Sequence, residues 1–445
     1  MKKLIHRSVS VLLAAAMLLF GIGVYCVRYA RSCRDWASFS GGAAVSRGGV
    51  SLSGTLTDRN GTVLASMDSG DSAYAEDRAV RVACLHAVGD FEGNIGTGAL
   101  TAFAEALTGY DALTGLRSGG KTVKLSIDSA LSVCAYEALA GRKGCVAVAN
   151  YRTGEILCLV SSPAYDPEEG FDSADEFYDG VYLNRCISAA YVPGSVFKLV
   201  TAAAALENIP DIETRGFTCT GSRTVDGNEI SCTGVHGTQT LAEALGKSCN
   251  CAFAELALEL GAETLGEYAE QLGLSAAGEL DGIYVNAGRY DADAETGSAE
   301  LAWSGIGQST DLVCPYSLLR LVMAAANGGS AVTPTLLAGG SSGETRLLEA
   351  DTAQRLKALM RGNVENFYGD WRFPGLTLCA KSGTAETGSG TSHAWFAGFS
   401  ADEQLPLAFV VLIEDGGGGL SNAGAAANTV LQAALAAQVN EDENA

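Results

Sequence analysis

The chain has 445 residues, of which 47% are hydrophobic, and its formal net charge at pH 7 is -22. A chain of this length and composition can bury a large core, and we expect about two or three domains, one of them large. The negative charge argues against a nucleic-acid-binding protein, because such proteins need basic patches to neutralise phosphates. Solubility alone accounts for the acidity.

The first feature along the chain is an apolar run from Val9 to Val27, interrupted only by Ser10. It is just long enough to cross a bilayer as a helix. Basic residues flank it on both sides, so their distribution does not decide the orientation. A cleaved signal peptide is the alternative, but no small-x-small cleavage site directly follows the run. We therefore expect an uncleaved single-pass anchor in the cell membrane, with the rest of the chain outside the cytoplasm.

Composition divides the chain into six segments. They are a cytoplasmic N-terminus (1–8), the anchor (9–27), a linker of small and polar residues (28–45), a small N-terminal pedestal domain (46–120), a large domain (121–438) and a polar tail (439–445). Two short strands around the Asn60-Gly61 turn are predicted within the pedestal.

Apolar segments in the large domain predict the strands of one sheet. Two come early and three come late, and the predicted segments are 145–149, 155–160, 376–380, 393–399 and 407–413. Their short connections favour antiparallel neighbours. Helical patterns dominate from 184 to about 329, and a last helix covers 423–438. We expect an α+β fold, in which helices flank a five-stranded antiparallel sheet and a helical lobe is inserted between its halves.

A buried helix is predicted to start at or near Ser195, with Lys198 one turn later. A serine hydroxyl needs a base to become a nucleophile, and a buried lysine with a lowered pKa can be that base. The N–H groups at a helix start favour the negative charge of an attacked carbonyl. Ser-x-x-Lys alone is a weak pattern, and a second copy occurs from Ser118 to Lys121.

A second motif, Ser248-Cys249-Asn250, lies between two helical segments. The serine hydroxyl can relay a proton, and the asparagine amide can hold a substrate carbonyl. On its own the motif is more often a helix cap.

A third motif, Lys381-Ser382-Gly383-Thr384, is predicted at the end of a strand. The Lys381 amine would help to lower the pKa of Lys198, and with Ser382 it could grip a carboxylate. Gly383 would let a ligand lie along the strand edge. The Thr384 backbone N–H, with that of Ser195, could bind an oxyanion. On its own the motif is a turn.

Together and in this order, the three motifs are typical of penicillin-binding proteins and serine β-lactamases. The chain resembles the class B (monofunctional) penicillin-binding proteins, the D,D-transpeptidases of bacterial cell-wall synthesis. The resemblance covers nearly all of the chain from Arg47 onward and makes 121–438 the transpeptidase (penicillin-binding) domain. Further matching segments are Asp58–Gly61, Thr153–Leu157, Ser162–Pro167, Asn184–Arg185, Gly305–Gln308, Ala326–Gly329 and His393–Gly398.

The resemblance implies that Ser195 attacks the penultimate D-Ala of a stem peptide ending in D-Ala-D-Ala. It further implies that Lys198 carries the proton, Ser248 relays it and Asn250 orients the acyl chain. Lys381 and Ser382 would hold the terminal carboxylate. β-Lactams would acylate the same serine, and a membrane-embedded glycan polymerase is the implied partner. Ser382 stands where the family more often has threonine, and the elongation, division and sporulation branches stay open.

Two rival functions share this fold. A serine β-lactamase would need a base for a hydrolytic water, and no acidic residue near the motifs is a clear candidate. A non-catalytic β-lactam sensor or scaffold would not need both lysines.

We predict no cofactor and no metal, because neither a metal motif nor a phosphate-binding loop is evident. His393, beside Trp395, is predicted to be packed rather than catalytic. The chain has 13 cysteines, many for an exported protein. Cys219 and Cys232 flank a predicted hairpin with its turn at 226–227, and either a disulfide or two free thiols would fit there.

Overall fold

The computed structural model describes residues 2–37, 53–68, 71–109, 120–290, 298–388 and 390–444. The predicted linker beyond Ala37 and the second Ser-x-x-Lys pattern at Ser118 fall outside these residues. The first helix spans Lys2–Ala37, and its segment Val9–Val27 is long and apolar enough to cross a membrane. The side chains of that segment are exposed.

The segment predicted as the pedestal contributes three strands to a four-stranded sheet. Its strands, in spatial order, are Asp71–Tyr74, Val63–Asp68, Ser53–Thr57 and Thr122–Lys124. The predicted hairpin around the Asn60-Gly61 turn is present, and its strands pair antiparallel. The fourth strand pairs parallel to Ser53–Thr57 and lies just past residue 120, where we expected the pedestal to end. Short helices accompany the sheet at Arg78–Val88, Ala99–Ala102 and Ala104–Thr108.

The large domain is organised around a five-stranded antiparallel sheet, which confirms the predicted fold class. Its spatial order is Leu378–Glu386, Ser392–Ser400, Leu407–Ile413, Gly144–Asn150 and Ile156–Ser162. Gly144–Asn150 comes first among these strands along the chain and Leu407–Ile413 comes last. The two strands pair with each other inside the sheet. Leu378–Glu386 forms one edge of the sheet, and this strand carries the third motif.

Side chains on the sheet alternate between two separate cores, as the period of two in a strand requires. On one face, Val146 and Phe409 pack with the helices Ser129–Ala138 and Gly424–Asn444. On the other face, Ala147 and its neighbours join the core of the helical lobe. The sheet is therefore buried on both sides, and both faces are apolar. The last helix continues to Asn444, past the predicted end at residue 438.

The helical lobe and its attachments complete the domain. Its helices are Lys198–Asn208, Leu241–Gly246, Asn250–Gln271, Ala299–Ser304, Pro315–Ala326 and Ala350–Asn363. Short paired strands lie at Phe217–Cys219 with Gly237–Gln239, Ser222–Val225 with Asn228–Ser231, Gly278–Leu280 with Ile283–Val285, and Ser330–Val332 with Glu344–Arg346. Tight 3₁₀ turns occur at Glu176–Tyr178, Gly194–Val196 and Asp370–Arg372, and wider π-helical turns occur at Val364–Tyr368 and Gly419–Ala423.

The predicted hairpin between Cys219 and Cys232 is present. Asp226 and Gly227 form its turn, both with the positive φ that a tight hairpin turn requires. Cys219 and Cys232 are both free thiols, so of the two alternatives the structure has the unpaired one.

Candidate active site

Ser195 lies in a single tight turn, Gly194–Val196, directly ahead of the helix Lys198–Asn208. The regular α-helix therefore begins at Lys198 rather than at Ser195 itself. Gly194 has φ +54°, a left-handed conformation that suits glycine. The turn leaves Ser195 half-buried just before the start of this helix, whose own residues are almost all buried.

Glycines allow two other segments to approach the Ser195 turn closely. The Gly194 N–H donates to the Gly307 carbonyl at 2.8 Å, and a Cβ on Gly307 would lie only 2.1 Å from the Gly194 carbonyl oxygen. On the other side, a Cβ on Gly383 would lie 3.0 Å from Val196 and 3.1 Å from the Pro193 carbonyl oxygen. The third motif thus needs its glycine to make room for the turn that carries Ser195.

Lys198 is fully buried, and its amine bonds to the second motif. Nζ donates to the Ser248 carbonyl at 2.7 Å, to Ser248 Oγ at 3.3 Å and to Asn250 Oδ1 at 2.7 Å. Among the described residues, no hydrogen bond joins Lys198 Nζ to Ser195 Oγ. The structure therefore places the Lys198 amine next to Ser248, with Lys198 one helical turn from Ser195.

Lys381 is also fully buried and meets the same hydroxyl group. Its Nζ donates to Ser248 Oγ at 3.1 Å and to the Ser382 carbonyl at 2.7 Å. The Ser248 hydroxyl therefore accepts from both amines and keeps its own proton to donate elsewhere. Within the described residues, no carboxylate lies within ion-pair distance of either lysine.

Burial governs the protonation of both amines. Desolvation lowers the pKa of Lys198 to about 7. Desolvation, and then repulsion by the Lys198 ammonium, lowers the pKa of Lys381 well below its ordinary value. We expected Lys381 to lower the pKa of Lys198. Burial is instead what lowers the pKa of Lys198, and the repulsion between the two amines acts on the pKa of Lys381. A neutral lysine is thus available near neutral pH.

The second motif holds a strained backbone. Ser248 has φ +55°, which costs a non-glycine residue about 1–3 kcal/mol. The two lysine bonds and the helix that begins at Asn250 hold it in place. The Asn250 amide accepts from Lys198, while its Nδ2 donates to the Ser231 carbonyl at 2.9 Å. One N–H of that amide remains for a substrate carbonyl.

The third motif lies within a strand, and our prediction that it ends the strand was wrong. Leu378–Glu386 runs through the motif, and its residues pair with the neighbouring strand over their full length. The Ser382 N–H donates to the Tyr368 hydroxyl at 3.1 Å, so it points outward from the edge of the sheet and not toward the neighbouring strand. The Thr384 N–H, two residues on, points the same way. Its carbonyl oxygen lies beside Gly194. The free edge next to Ser195 therefore offers one N–H for an oxyanion.

Tyr368 is a site residue that sequence reasoning missed. Its hydroxyl accepts from the Ser382 N–H and from Ser382 Oγ, each at 3.1 Å, and the ring is largely buried. It fixes the hydroxyl that we expect to grip a carboxylate. Tyr368 ends an irregular helical segment and belongs to no motif, so the sequence carries no local signal for it.

His393 lies outside this constellation. Its Nδ1 accepts from the Asp415 N–H at 3.2 Å, and its ring packs edge-on against Tyr191. These contacts agree with a packing role.

Comparison with known proteins places this geometry in a family. Residues 144–435 match the model of the penicillin-binding protein transpeptidase domain. The peptidoglycan D,D-transpeptidase PbpA of Mycobacterium tuberculosis is 29% identical over 374 residues, which cover 73% of this chain and 74% of that protein.

Solved structures agree. The D,D-transpeptidase domain of a peptidoglycan glycosyltransferase from Eggerthella lenta superimposes with a TM-score of 0.76 at 28% identity, and covers 87% of this chain and 99% of that one. Penicillin-binding protein A from M. tuberculosis, as its imipenem acyl-enzyme, superimposes with a TM-score of 0.75 at 26% identity. The match covers 86% of this chain and 98% of that one. The chain therefore belongs to the penicillin-binding protein transpeptidase family, among its class B peptidoglycan D,D-transpeptidases.

Proposed function

We propose that Ser195 is the acyl carrier with which this chain crosslinks peptidoglycan stem peptides ending in D-Ala-D-Ala. The observation that carries the assignment is the pair of buried amines, Lys198 and Lys381, on the single hydroxyl of Ser248. This group lies where the Ser195 turn meets the edge strand of the sheet. A nucleophile, a base, a relay and a cation are thus assembled around one space.

In the first step, Ser195 Oγ attacks the carbonyl carbon of the penultimate D-Ala, and its proton passes to neutral Lys198. The N–H groups of Ser195 and Thr384 bind the oxyanion. Each donor of this kind contributes a factor of about 10² to 10³ in rate. The C–N bond then breaks, and the leaving D-Ala amine takes its proton through the Ser248 hydroxyl.

In the second step, an amine from a neighbouring stem peptide attacks the ester on Ser195. Its excess proton returns through Lys198, and the free serine is restored. Until D-Ala leaves in the first step, Lys381 and Ser382 hold its terminal carboxylate, and Asn250 orients the acyl chain in both steps. A substrate carboxylate would supply the negative charge that these buried amines lack. A β-lactam, which carries a similar carboxylate, would acylate Ser195 and stay bound.

The rival functions fit the site less well. A β-lactamase must activate water to hydrolyse its acyl-enzyme, and the described residues place no carboxylate within ion-pair distance of either lysine. A sensor or scaffold would gain nothing from two desolvated amines, which are costly to bury. The paired lysines therefore favour retained acyl-transfer chemistry.

Turnover separates the three functions. The purified chain is incubated with a D-Ala-D-Ala stem peptide and an acceptor amine, and separately with penicillin. We expect release of D-Ala, a crosslinked product and very slow loss of penicillin. Rapid penicillin hydrolysis would favour the lactamase, and stable acylation without D-Ala release would favour the sensor. Ser195→Ala is the matched inactive control.

The segment Val9–Val27 supports a further part of the proposal, in which the chain is held in the cell membrane with its catalytic domain outside the cytoplasm. The partner that we propose is a membrane-embedded glycan polymerase, contacted by the anchor and the pedestal. Photo-crosslinking from an unnatural residue in the anchor tests this. A specific adduct with a polymerase supports the partner, and adducts with lipid alone would contradict it.

A further inference from the structure

Four side chains that can bind metal converge behind the second motif. They are Cys219, Cys232, His236 and Cys249, and their ligand atoms all lie within 4.8 Å of one another. Three come from the hairpin region between residues 217 and 239. The fourth, Cys249, is the middle residue of the second motif.

Two of the separations between these atoms match a tetrahedral metal site. Zn–S and Zn–N bonds of ordinary length at tetrahedral angles place two sulfurs about 3.8 Å apart and a sulfur and nitrogen about 3.6 Å apart. The Cys232 and Cys249 sulfurs are 3.8 Å apart, and Cys232 Sγ is 3.6 Å from His236 Nδ1.

The surroundings also suit metal thiolates. The Asn250 N–H donates to Cys232 Sγ at 3.2 Å, a contact of the kind that orients metal ligands. Cys219 and Cys249 are buried, while Cys232 and His236 are half-buried. An ion could therefore enter from the side of Cys232 and His236, while Cys219 and Cys249 shield it from solvent on the other side.

We propose that Cys219, Cys232, His236 and Cys249 bind one zinc ion as a structural site. Three thiolates and an imidazole are a ligand set that zinc favours, and four protein ligands leave no open position for catalysis. The spacing hides the site in the sequence, because its cysteines are well separated along the chain and only the fold brings them together.

The ion would link the hairpin region to the catalytic turn. Cys249 directly follows Ser248, whose strained backbone and hydroxyl hold both lysines. A metal bond to Cys249 would hold the residue next to Ser248 and so fix that turn. Cys249 is thus a positioning residue, and the zinc would tune the site without touching the substrate.

Metal content tests the proposal on the full chain purified in detergent under reducing conditions. We expect about one zinc per chain by elemental mass spectrometry. Cys219→Ser and His236→Ala should lower the zinc content several-fold. Cys251→Ser is the matched control, since it removes a nearby thiol that is outside the four and should keep the zinc. Cobalt substituted into the wild type should show the intense visible absorption of a tetrahedral thiolate site.

Three results would overturn the proposal. These are wild-type protein with no zinc and no cobalt spectrum, variants that keep full zinc content, and a Cys232–Cys249 disulfide found by peptide mapping without reduction. The cobalt spectrum needs no variant, so misfolding of a mutant cannot mask the answer. Removing zinc with a chelator should slow penicillin acylation about tenfold or more, reversibly, as expected for the loss of a positioning contact. Metal content does not depend on which serine is acylated, so this proposal and the assigned nucleophile can fail separately.

Discussion

Lys198 binds the strained residue Ser248 twice, at its carbonyl oxygen (2.7 Å) and at its hydroxyl (3.3 Å). A third bond goes to Asn250 Oδ1 at 2.7 Å. A neutral amine has two N–H groups, enough for the two short bonds, and a lone pair for the third direction. When Lys198 loses a proton, its lone pair can face the Ser248 hydroxyl across the longest of the three contacts. A proton can then pass between these two groups.

The rate of acylation by penicillin should rise with pH through about 7 and then level off. Burial lowers the pKa of Lys198 to about 7, and only the neutral amine can take the serine proton. The groups that face it are the Lys381 amine and the thiols of Cys232, Cys249 and Cys251. The second-order rate constant of labelling, measured across this range, checks the prediction.

Lys198→Arg is the control for this pH dependence. Its guanidinium stays charged, so labelling should be very slow at every pH. A flat wild-type profile, or one that falls as pH rises, would remove Lys198 from the role of base.

Tyr368→Phe should weaken the grip on the substrate carboxylate. The change removes the acceptor of the Ser382 N–H, and an orphaned buried donor costs about 1–3 kcal/mol. We expect about tenfold slower acylation and a lower Tm, read by labelling kinetics and thermal unfolding. Tyr284→Phe, at a tyrosine that is 65% exposed, should change neither. Equal behaviour of the two variants would show that the Tyr368 hydroxyl does not act on the site.

Gly307→Ala should displace the Ser195 turn. The new Cβ would lie 2.1 Å from the Gly194 carbonyl oxygen, at a residue with φ +78°. Gly282→Ala is the matched control, because its φ is +86° but no atom lies within 4 Å of its Cβ. Backbone strain alone costs about 1–2 kcal/mol, so only this loss of stability is expected there.

At Gly307 we expect a larger loss of stability together with slower labelling. Denaturant unfolding and labelling kinetics, run on both variants, give the comparison. If both substitutions lower the free energy of unfolding equally and give the same labelling rate, the close approach of Gly307 to Gly194 does not matter for function.

The three motifs could be found from the sequence because the chemistry demands particular residue types at short spacings. Ser195 and Lys198, for example, are one helical turn apart. The apolar strands were predictable for a similar reason, since burial on both faces selects continuous apolar runs. Leu407–Ile413 has the predicted bounds.

The features that escaped prediction depend on contacts distant in the sequence. The strand runs on through Lys381-Ser382-Gly383-Thr384 because the neighbouring strand pairs with it, although the motif lacks an apolar pattern. Tyr368 and Ser382 are 14 residues apart and meet only through the packing of an irregular helix on the strand. The contact between Cys232 and Cys249 likewise exists only in the folded chain.

The most direct test of the central claim is to find which residue a penicillin acylates. The full chain is labelled, and the adduct is located by intact-mass and peptide-mass measurement in the wild type, Ser195→Ala and Ser118→Ala. The account predicts one adduct per chain, on Ser195, absent from the first variant and unchanged in the second. An adduct on another residue, or a Ser195→Ala chain that labels as well as its parent, would contradict it.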